Sequence, residues 1–388
     1  MNEHILHKDV QNFIKTTTVA LPELAFSGSP FQEVSIRELL QQLESYRKAK
    51  DKLPSWYRTD RVYYPPKLNI EQTSSELTAE YKVSLVQGNT MADITGGFGV
   101  DSYYFSDKFK TVHHFETDSD LSDIATHNFK QLQKKNILTF NTNGIEGIMN
   151  NSYDLVYADP SRRHDTKGKV FYLRDCEPNI PDHLDSILDR CKLLMIKTSP
   201  MLDITVGIEE LKQVSEIHII AVKNDVKELI WFLKRDNTET IQIKTVNVTK
   251  AGRDYFEFSL NAEANVEFGD PESYLYEPNA AILKSGAFNL IADKFQLKKL
   301  HKNTHLYTRD SVVDFPGRIF KIMKTIPYTK KLIRAGITFD KANVATRNFP
   351  ETVSQLRTKW KILDGGELYV FFTTVSNDKK MMLLCSKI

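Results

Sequence analysis

The chain has 388 residues, of which 41% are hydrophobic and 26% charged, with a formal net charge of +2. That length holds two or three domains with a sizeable core, and the composition excludes a disordered or fibrous chain. Its three cysteines, Cys176, Cys191 and Cys385, form no C-x-x-C pair. This speaks against structural zinc and for free thiols in a reducing cytoplasm, and no metal is expected. No run of about 18 apolar residues marks a membrane span, and MNEHILHKDVQNFIKTTT lacks the apolar core of a signal peptide.

Charge is unevenly spread. Residues 281–388 hold 20 Lys+Arg against 8 Asp+Glu, and the rest of the chain holds 32 against 42. A basic C-terminal part on a mildly acidic body predicts an appendage that binds a polyanion. The oligomeric state is not legible.

In chain order, residues 1–70 read as helical. SIRELLQQLESYRKAK sets Ile36, Leu39, Leu40 and Leu43 at helical spacing, with Ser35 and Glu38 placed as a capping box. VYYPPKLNI breaks the helices near residues 63–70, and TSSELTAEYKVSLVQ predicts another capped helix. Short apolar runs then alternate with helical stretches: TMADIT, TVHHFE, NILTFN, YDLVYA, KLLMIK and EIHIIAV, with DYFEFSL as a further strand. That alternation predicts an α/β fold with a Rossmann-like, doubly wound parallel sheet. After EFGDPESYLYEPNA a smaller basic α/β unit follows, with strands at ITFDKANVAT, WKILDGGELYVFFTTV and KKMMLLCSKI, a helix at ETVSQLRTKW, and a hairpin turn at LDGGEL.

DITGGFGVDSYYFS, residues 93–106, places a glycine-rich turn between a strand and a helix, the arrangement that receives a nucleotide-like ligand. A P-loop needs a Lys after its last glycine, and none follows here. The dinucleotide fingerprint is half present, since Gly97 and Gly99 fit but Ser102 stands where the third glycine belongs. Asp93 at the strand end repels a pyrophosphate but suits a ligand with a sulfonium and a cationic amino-acid moiety, which describes S-adenosylmethionine. Glu116 ends the next strand 19 residues after Gly97, the place of an acid that binds ribose hydroxyls.

DITGGFGVD, HFETD and YDLVYADPSRRH together resemble the motifs of class I S-adenosylmethionine-dependent methyltransferases, above all bacterial RNA methyltransferases, over roughly residues 71–260. YLYEPNAAILKSGAF, FPGRIF and ANVATRNFP are similar to the THUMP-like module found behind such domains. The resemblance implies an N-terminal helical region (1–70), a methyltransferase domain (71–261), a small α/β connecting domain (272–315) and a THUMP-like RNA-binding domain (316–388). It implies that Asp93, Thr95, Gly97 and Gly99 form the cofactor loop with Phe98 closing over it, that Glu116 holds the ribose, and that Asn143 approaches the adenine. Asp159 and Pro160 then border the methyl-acceptor pocket. Enzymes acting on base amines carry a second proline and an aromatic after this pair, whereas here Ser161 and Arg162 follow, so Arg162 is expected to stack on a base or clamp a phosphate.

Arg163, Lys197, Lys330, Lys331, Arg334, Arg347 and Asn348 are the expected contacts to RNA, tRNA or rRNA. The function these observations predict is methylation of a base in structured RNA. Two alternatives stay open. Lys82, Asp159, Lys197 and Glu257 are placed to imitate the Lys-Asp-Lys-Glu set of ribose 2′-O-methyltransferases. Alternatively, the fold serves as a non-catalytic RNA-binding or ribosome-assembly factor.

Overall fold

A computed structural model describes residues 1–162, 172–250 and 252–388. The chain divides into two compact units, one of residues Met1–Glu216 with Leu229–Glu239, the other of Ile217–Glu228 with Thr240–Ile388.

The first unit begins with six helices: α1 (Lys8–Thr16), α2 (Leu21–Ser27), α3 (Ile36–Lys52), α4 (Pro54–Arg58), α5 (Lys67–Gln72) and α6 (Glu76–Ser84). The capping box at Ser35 and Glu38 starts α3, which buries Leu39, Leu43, Tyr46 and Ala49 along one face. Tyr63 and Tyr64, extended ahead of Pro65 and Pro66, have no sheet neighbour for their backbone groups. Two buried amides satisfy them instead. Gln42 bonds both polar groups of Tyr64 at 2.6 and 2.9 Å, and Asn128 bonds both of Tyr63 at 2.9 Å.

The sheet then forms from β1 (Gly88–Asp93), β2 (Phe109–Glu116), β3 (Ile137–Asn141) and β4 (Tyr153–Ala158), interleaved with α7 (Val100–Phe105), α8 (Ser119–Gln131) and α9 (Gly144–Ile148). A two-stranded ribbon follows, β5 (Ser161–Arg162) against β6 (Cys176–Glu177). Next come α10 (Ile180–Leu188), β7 (Cys191–Thr198) and α11 (Ile204–Leu211). β8 (Val214–Val222) and β9 (Asp225–Leu233) run through the division between the units. Pairing is parallel for β3–β2, β2–β1, β1–β4 and β4–β7, and antiparallel for β7–β9. The order therefore reverses between β1 and β4, and the carboxyl ends of those two strands form the switch point at which open α/β sheets bind their ligands. The predicted doubly wound sheet is present.

In the second unit β10 (Gln242–Thr249) and β11 (Gly252–Ser259) pair as antiparallel strands. A seven-stranded sheet follows, built from β12 (Tyr274–Pro278), β13 (Lys298–His301), β14 (Thr304–Arg309), β15 (Gly317–Pro327), β16 (Lys341–Arg347), β17 (Leu363–Val375) and β18 (Lys379–Lys387). Its spatial order is β13-β14-β12-β15-β18-β17-β16. Helices α12 (Ala280–Ser285), α13 (Leu290–Phe295), α14 (Lys330–Gly336) and α15 (Val353–Trp360) complete the unit. Alternate residues of β17 and β18 enter two separate cores. Phe371 and Leu383 pack with Leu275 and Phe320, while Phe372 and Met382 pack with Ile333 and Leu356.

The hairpin expected at LDGGEL does not form. Leu363–Val375 is one strand paired in parallel with β16, and the register jumps from Ala342↔Asp364 to Asn343↔Tyr369. Residues 365–368 bulge out, with φ of 97° at Gly365 and 87° at Gly366. The Asn343 amide donates to the carbonyls of Gly366 (2.7 Å) and Leu368 (3.3 Å), which satisfies the bulge and keeps the strand continuous.

Candidate cofactor and acceptor site

β1 is buried at its carboxyl end and stops at Asp93, itself 1% exposed. The turn that follows takes left-handed backbone at Gly97 (φ 55°) and at Gly99 (φ 86°), which is the N-cap of α7. The two glycines serve different ends. A Cβ on Gly99 would stand 2.4 Å from the Phe129 ring, so this residue lets α7 pack against α8. A Cβ on Gly97 would meet nothing nearer than the Thr95 carbonyl at 3.8 Å, so it is the left-handed backbone, and not crowding, that asks for glycine here.

Both predicted acids lie at this turn. One Glu116 oxygen accepts from the Gly97 N–H at 2.7 Å and the other from the Asp118 N–H at 2.8 Å, which locks the end of β2 to the glycine turn. Asp93 accepts from the Ser102 hydroxyl (2.7 Å) and the Thr95 N–H (3.1 Å). Burial pushes its carboxyl up to about 7, and the neighbouring Asp101 and Asp159 add to the push, against the hydrogen bonds from Ser102 and Thr95. A positive charge brought close to this buried acid would favour its ionised form. Together with the Gly97 turn, the acid fits S-adenosylmethionine.

Asn143 caps α9, accepting from the N–H groups of Ile145 (2.9 Å) and Glu146 (3.4 Å). It is exposed, while the following Gly144 packs so closely that a Cβ there would be 2.3 Å from the Ile94 carbonyl. Phe98 departs from its expected placement. Its ring is 3% exposed and packs against Trp56 at 4.6 Å and Tyr64 at 6.4 Å, so it anchors the turn to the N-terminal helices instead of closing over it. An aromatic pair buried in this way gains more than one left over a wet cleft.

The acceptor side is built at the end of β4. Thr95 Oγ1 accepts from the Asp159 N–H at 2.7 Å, tying the two strand ends together. Lys197, at the end of β7 and almost fully buried, reaches Asp159 at 2.5 Å. Burial raises the Asp159 carboxyl, Lys197 and Lys82 pull it down, and Asp101 pushes it up. Behind this pair lies a second one that the sequence did not single out. Lys82 on α6, wholly buried, bonds Asp101 at 2.9 Å, and Asp101 also accepts from Ser74 (2.8 Å) and Tyr157 (2.9 Å). Ser74 joins the two pairs, accepting from Lys82 at 2.6 Å and Lys197 at 3.5 Å.

Three members of the proposed Lys-Asp-Lys-Glu set therefore meet in one network. Glu257 is exposed on β11 in the second unit, opposite Lys244. Ser74 and Asp101 occupy the centre of the network instead. Pro160 is buried, and Arg162 lies on the β5 ribbon, whereas Arg163 falls outside the described residues. Among the described residues no cluster of three or more His, Cys, Asp or Glu is placed to hold a metal. No described helix is long and apolar enough to cross a membrane.

In the second unit Lys330, Lys331 and Arg334 are exposed on α14. Arg347 is instead engaged with the buried Glu277, and Asn348 donates to His301 (3.1 Å) and Thr304 (3.2 Å).

Residues 274–316 match the family described as a ferredoxin-like domain and residues 317–387 the one described as THUMP domain-like. No curated protein matches the chain. A crystal structure of a "putative methyltransferase from Porphyromonas gingivalis W83" is similar over 99% of this chain and 98% of that one, with 28% identity and a TM-score of 0.89. Partial overlaps include a "putative RNA methyltransferase" from Pyrococcus horikoshii (15% identity, 48% of this chain and 98% of that one, TM-score 0.34). Another is a "putative methyltransferase" from Streptococcus mutans in complex with SAH (15% identity, 41% and 96%, TM-score 0.30). The chain thus carries the class I methyltransferase fold, followed by a ferredoxin-like segment and a THUMP-like domain.

Proposed function

We propose that the chain is an S-adenosylmethionine-dependent methyltransferase acting on a base nitrogen of structured RNA, tRNA or rRNA. The observation that carries the reading is the arrangement at the switch point: a glycine turn flanked by Asp93 and Glu116, with the Lys197–Asp159 pair at the neighbouring strand end. When bound, S-adenosylmethionine supplies a methyl group on a positively charged sulfur. Glu116, held against the Gly97 N–H, is the acid assigned to the ribose hydroxyls, and Asn143, the cap of α9, is assigned to the base of the cofactor. Asp93 answers the positive charge. Asp159 is partly exposed, with Lys197 on Oδ2, and its carboxylate accepts an N–H from the acceptor and orients its lone pair. The exposed Lys330, Lys331 and Arg334 supply sequence-independent contacts to phosphates. The ribose alternative is weaker because both lysines are committed, Lys197 to Asp159 and Lys82 to Asp101, which leaves neither to take a hydroxyl proton.

Calorimetry tests the cofactor assignment. Binding a cation beside Asp93 favours its ionised form, so affinity for S-adenosylmethionine rises as pH rises through about 7. Binding at pH 7 then releases about half a proton, seen as a difference in heat between phosphate and Tris buffers. Asp93→Asn removes that release. Failure to bind S-adenosylmethionine refutes the assignment, and an unchanged release in the variant refutes the role of Asp93. For the reaction, tritiated methyl donor is incubated with total RNA from cells lacking the protein, followed by nucleoside mapping. Label on a base supports the reading, and label on ribose favours the alternative.

A further inference from the structure

Three stretches of the second unit, YLYEPNA, FPGRIF and ATRNFP, have no part in the site described above. The fold brings one charged residue from each to a single point. Glu277 on β12 is 3% exposed at its side chain. The Arg318 Nε donates to Glu277 Oε2 at 2.7 Å and Nη2 contacts the same oxygen, while Arg347 Nη2 takes Oε1. β12 and β15 run so close here that a Cβ on Gly317 would stand 2.2 Å from the Glu277 carbonyl, which explains the glycine of FPGRIF.

One carboxylate serves two guanidiniums, and the cluster keeps a positive charge. Both arginines have more than a third of their side chains exposed (37% and 36%), and among the described residues Arg318 Nη1 and Arg347 Nε donate to no partner. Arg318 is further steadied over the Phe320 ring at 5.5 Å, and Arg347 by its bond to the Thr346 carbonyl at 2.7 Å. The surroundings are cationic as well. His305, stacked on Phe288 at 3.5 Å, is pushed down to about 4 by burial and by the charges of Lys299 and Arg347. A structural ion pair needs only one arginine per carboxylate. Two guanidiniums held on one buried acid, each still more than a third exposed, match the oxygens of a phosphodiester.

We propose that Glu277 holds Arg318 and Arg347 as a preformed clamp for a backbone phosphate of the RNA substrate. The clamp rests on the RNA reading of the function and gives that substrate a fixed point in the second unit.

Removing both arginines alone would strand a buried carboxylate, so the test variant is neutral at all three places: Glu277→Gln/Arg318→Gln/Arg347→Gln. The full chain is titrated with fluorescein-labelled bulk tRNA at several salt concentrations, alongside Arg318→Gln alone. The slope of log affinity against log salt is expected to fall by about 0.7–0.9 for the triple variant, the share of one phosphate, and by no more than that for the single variant. Affinity near physiological salt drops at least tenfold in the triple variant, while melting temperature and S-adenosylmethionine affinity stay close to wild type. If the folded triple variant keeps the wild-type slope and affinity, the cluster is a structural clamp only and the proposal is wrong. If the wild-type chain itself shows no salt-dependent tRNA binding, the RNA reading fails, and the proposal with it.

Discussion

Replacing Lys82 by methionine is expected to lower the unfolding free energy by about 3–5 kcal/mol, because it leaves Asp101 as a buried charge without its main partner. Asp101 is enclosed by Lys82, Ser74 and Tyr157. Burial alone would raise its carboxyl, but Lys82 and Lys197 outweigh it and hold the group below the usual carboxylate range. In the wild type this acid therefore contributes stability above its unfolded value, and the contribution is lost as pH falls through the depressed folded value. Without Lys82 the sign reverses. The carboxyl rises above its unfolded value, and the variant loses stability as pH rises through the carboxylate range. Urea melts of both proteins should converge toward pH 4 and separate toward pH 7. Adding Asp101→Asn to the variant removes the stranded charge and should recover about half of the loss. A Lys82→Met shift below about 1 kcal/mol at pH 7 would show that the pair contributes little to the fold.

The second large effect is expected in the reaction. Asp159→Ala should slow methyl transfer to RNA by about 10²–10⁴-fold, the range for removing a group that handles the acceptor's proton. Cofactor affinity, read by calorimetry, should change by much less, since Asp159 touches Thr95 and Lys197 and not Gly97 or Gly99. Lys197→Met leaves the carboxylate in place but removes its counter-charge. Asp159 then titrates higher still, and the acid limb of the pH–rate profile moves to higher pH. A purely structural lysine would lower the rate at every pH without moving that limb. Equal rates for wild type and Asp159→Ala would remove this residue from the mechanism altogether.

The strands, the glycine turn and the acids at their ends were legible because each is written in a short stretch: an apolar run, a glycine pair, a carboxylate. Ser35 and Glu38 show the same legibility in a helix, where three positions suffice. The buried network was not legible, since Ser74, Lys82, Asp101, Tyr157 and Lys197 lie on five different segments and have no common period. Lys82 and Lys197 stand out in the sequence only as candidate members of a catalytic set, and the fold buries both, at 0% and 6% exposure. Phe98 misled for a related reason. Its position beside the turn is local, but its direction is decided by Trp56, 42 residues earlier. Adjacent glycines at 365–366 were read as a hairpin because they permit positive φ, which a bulge uses equally well. Arg347 was picked for its charge, and only the fold revealed that Glu277 already holds one edge of it.

The bonds from Asn128 to Tyr63, and from Asp101 to Ser74 and Lys82, have a consequence for the order of synthesis. The opening helices leave the ribosome with polar groups whose partners have yet to be translated. They can coil early but cannot settle until β1 to α8 have emerged, and Lys197 arrives later still. The leading segment is therefore no detachable extension but the half of a lock cut first, and expressing it alone should yield a chain that gathers without seating.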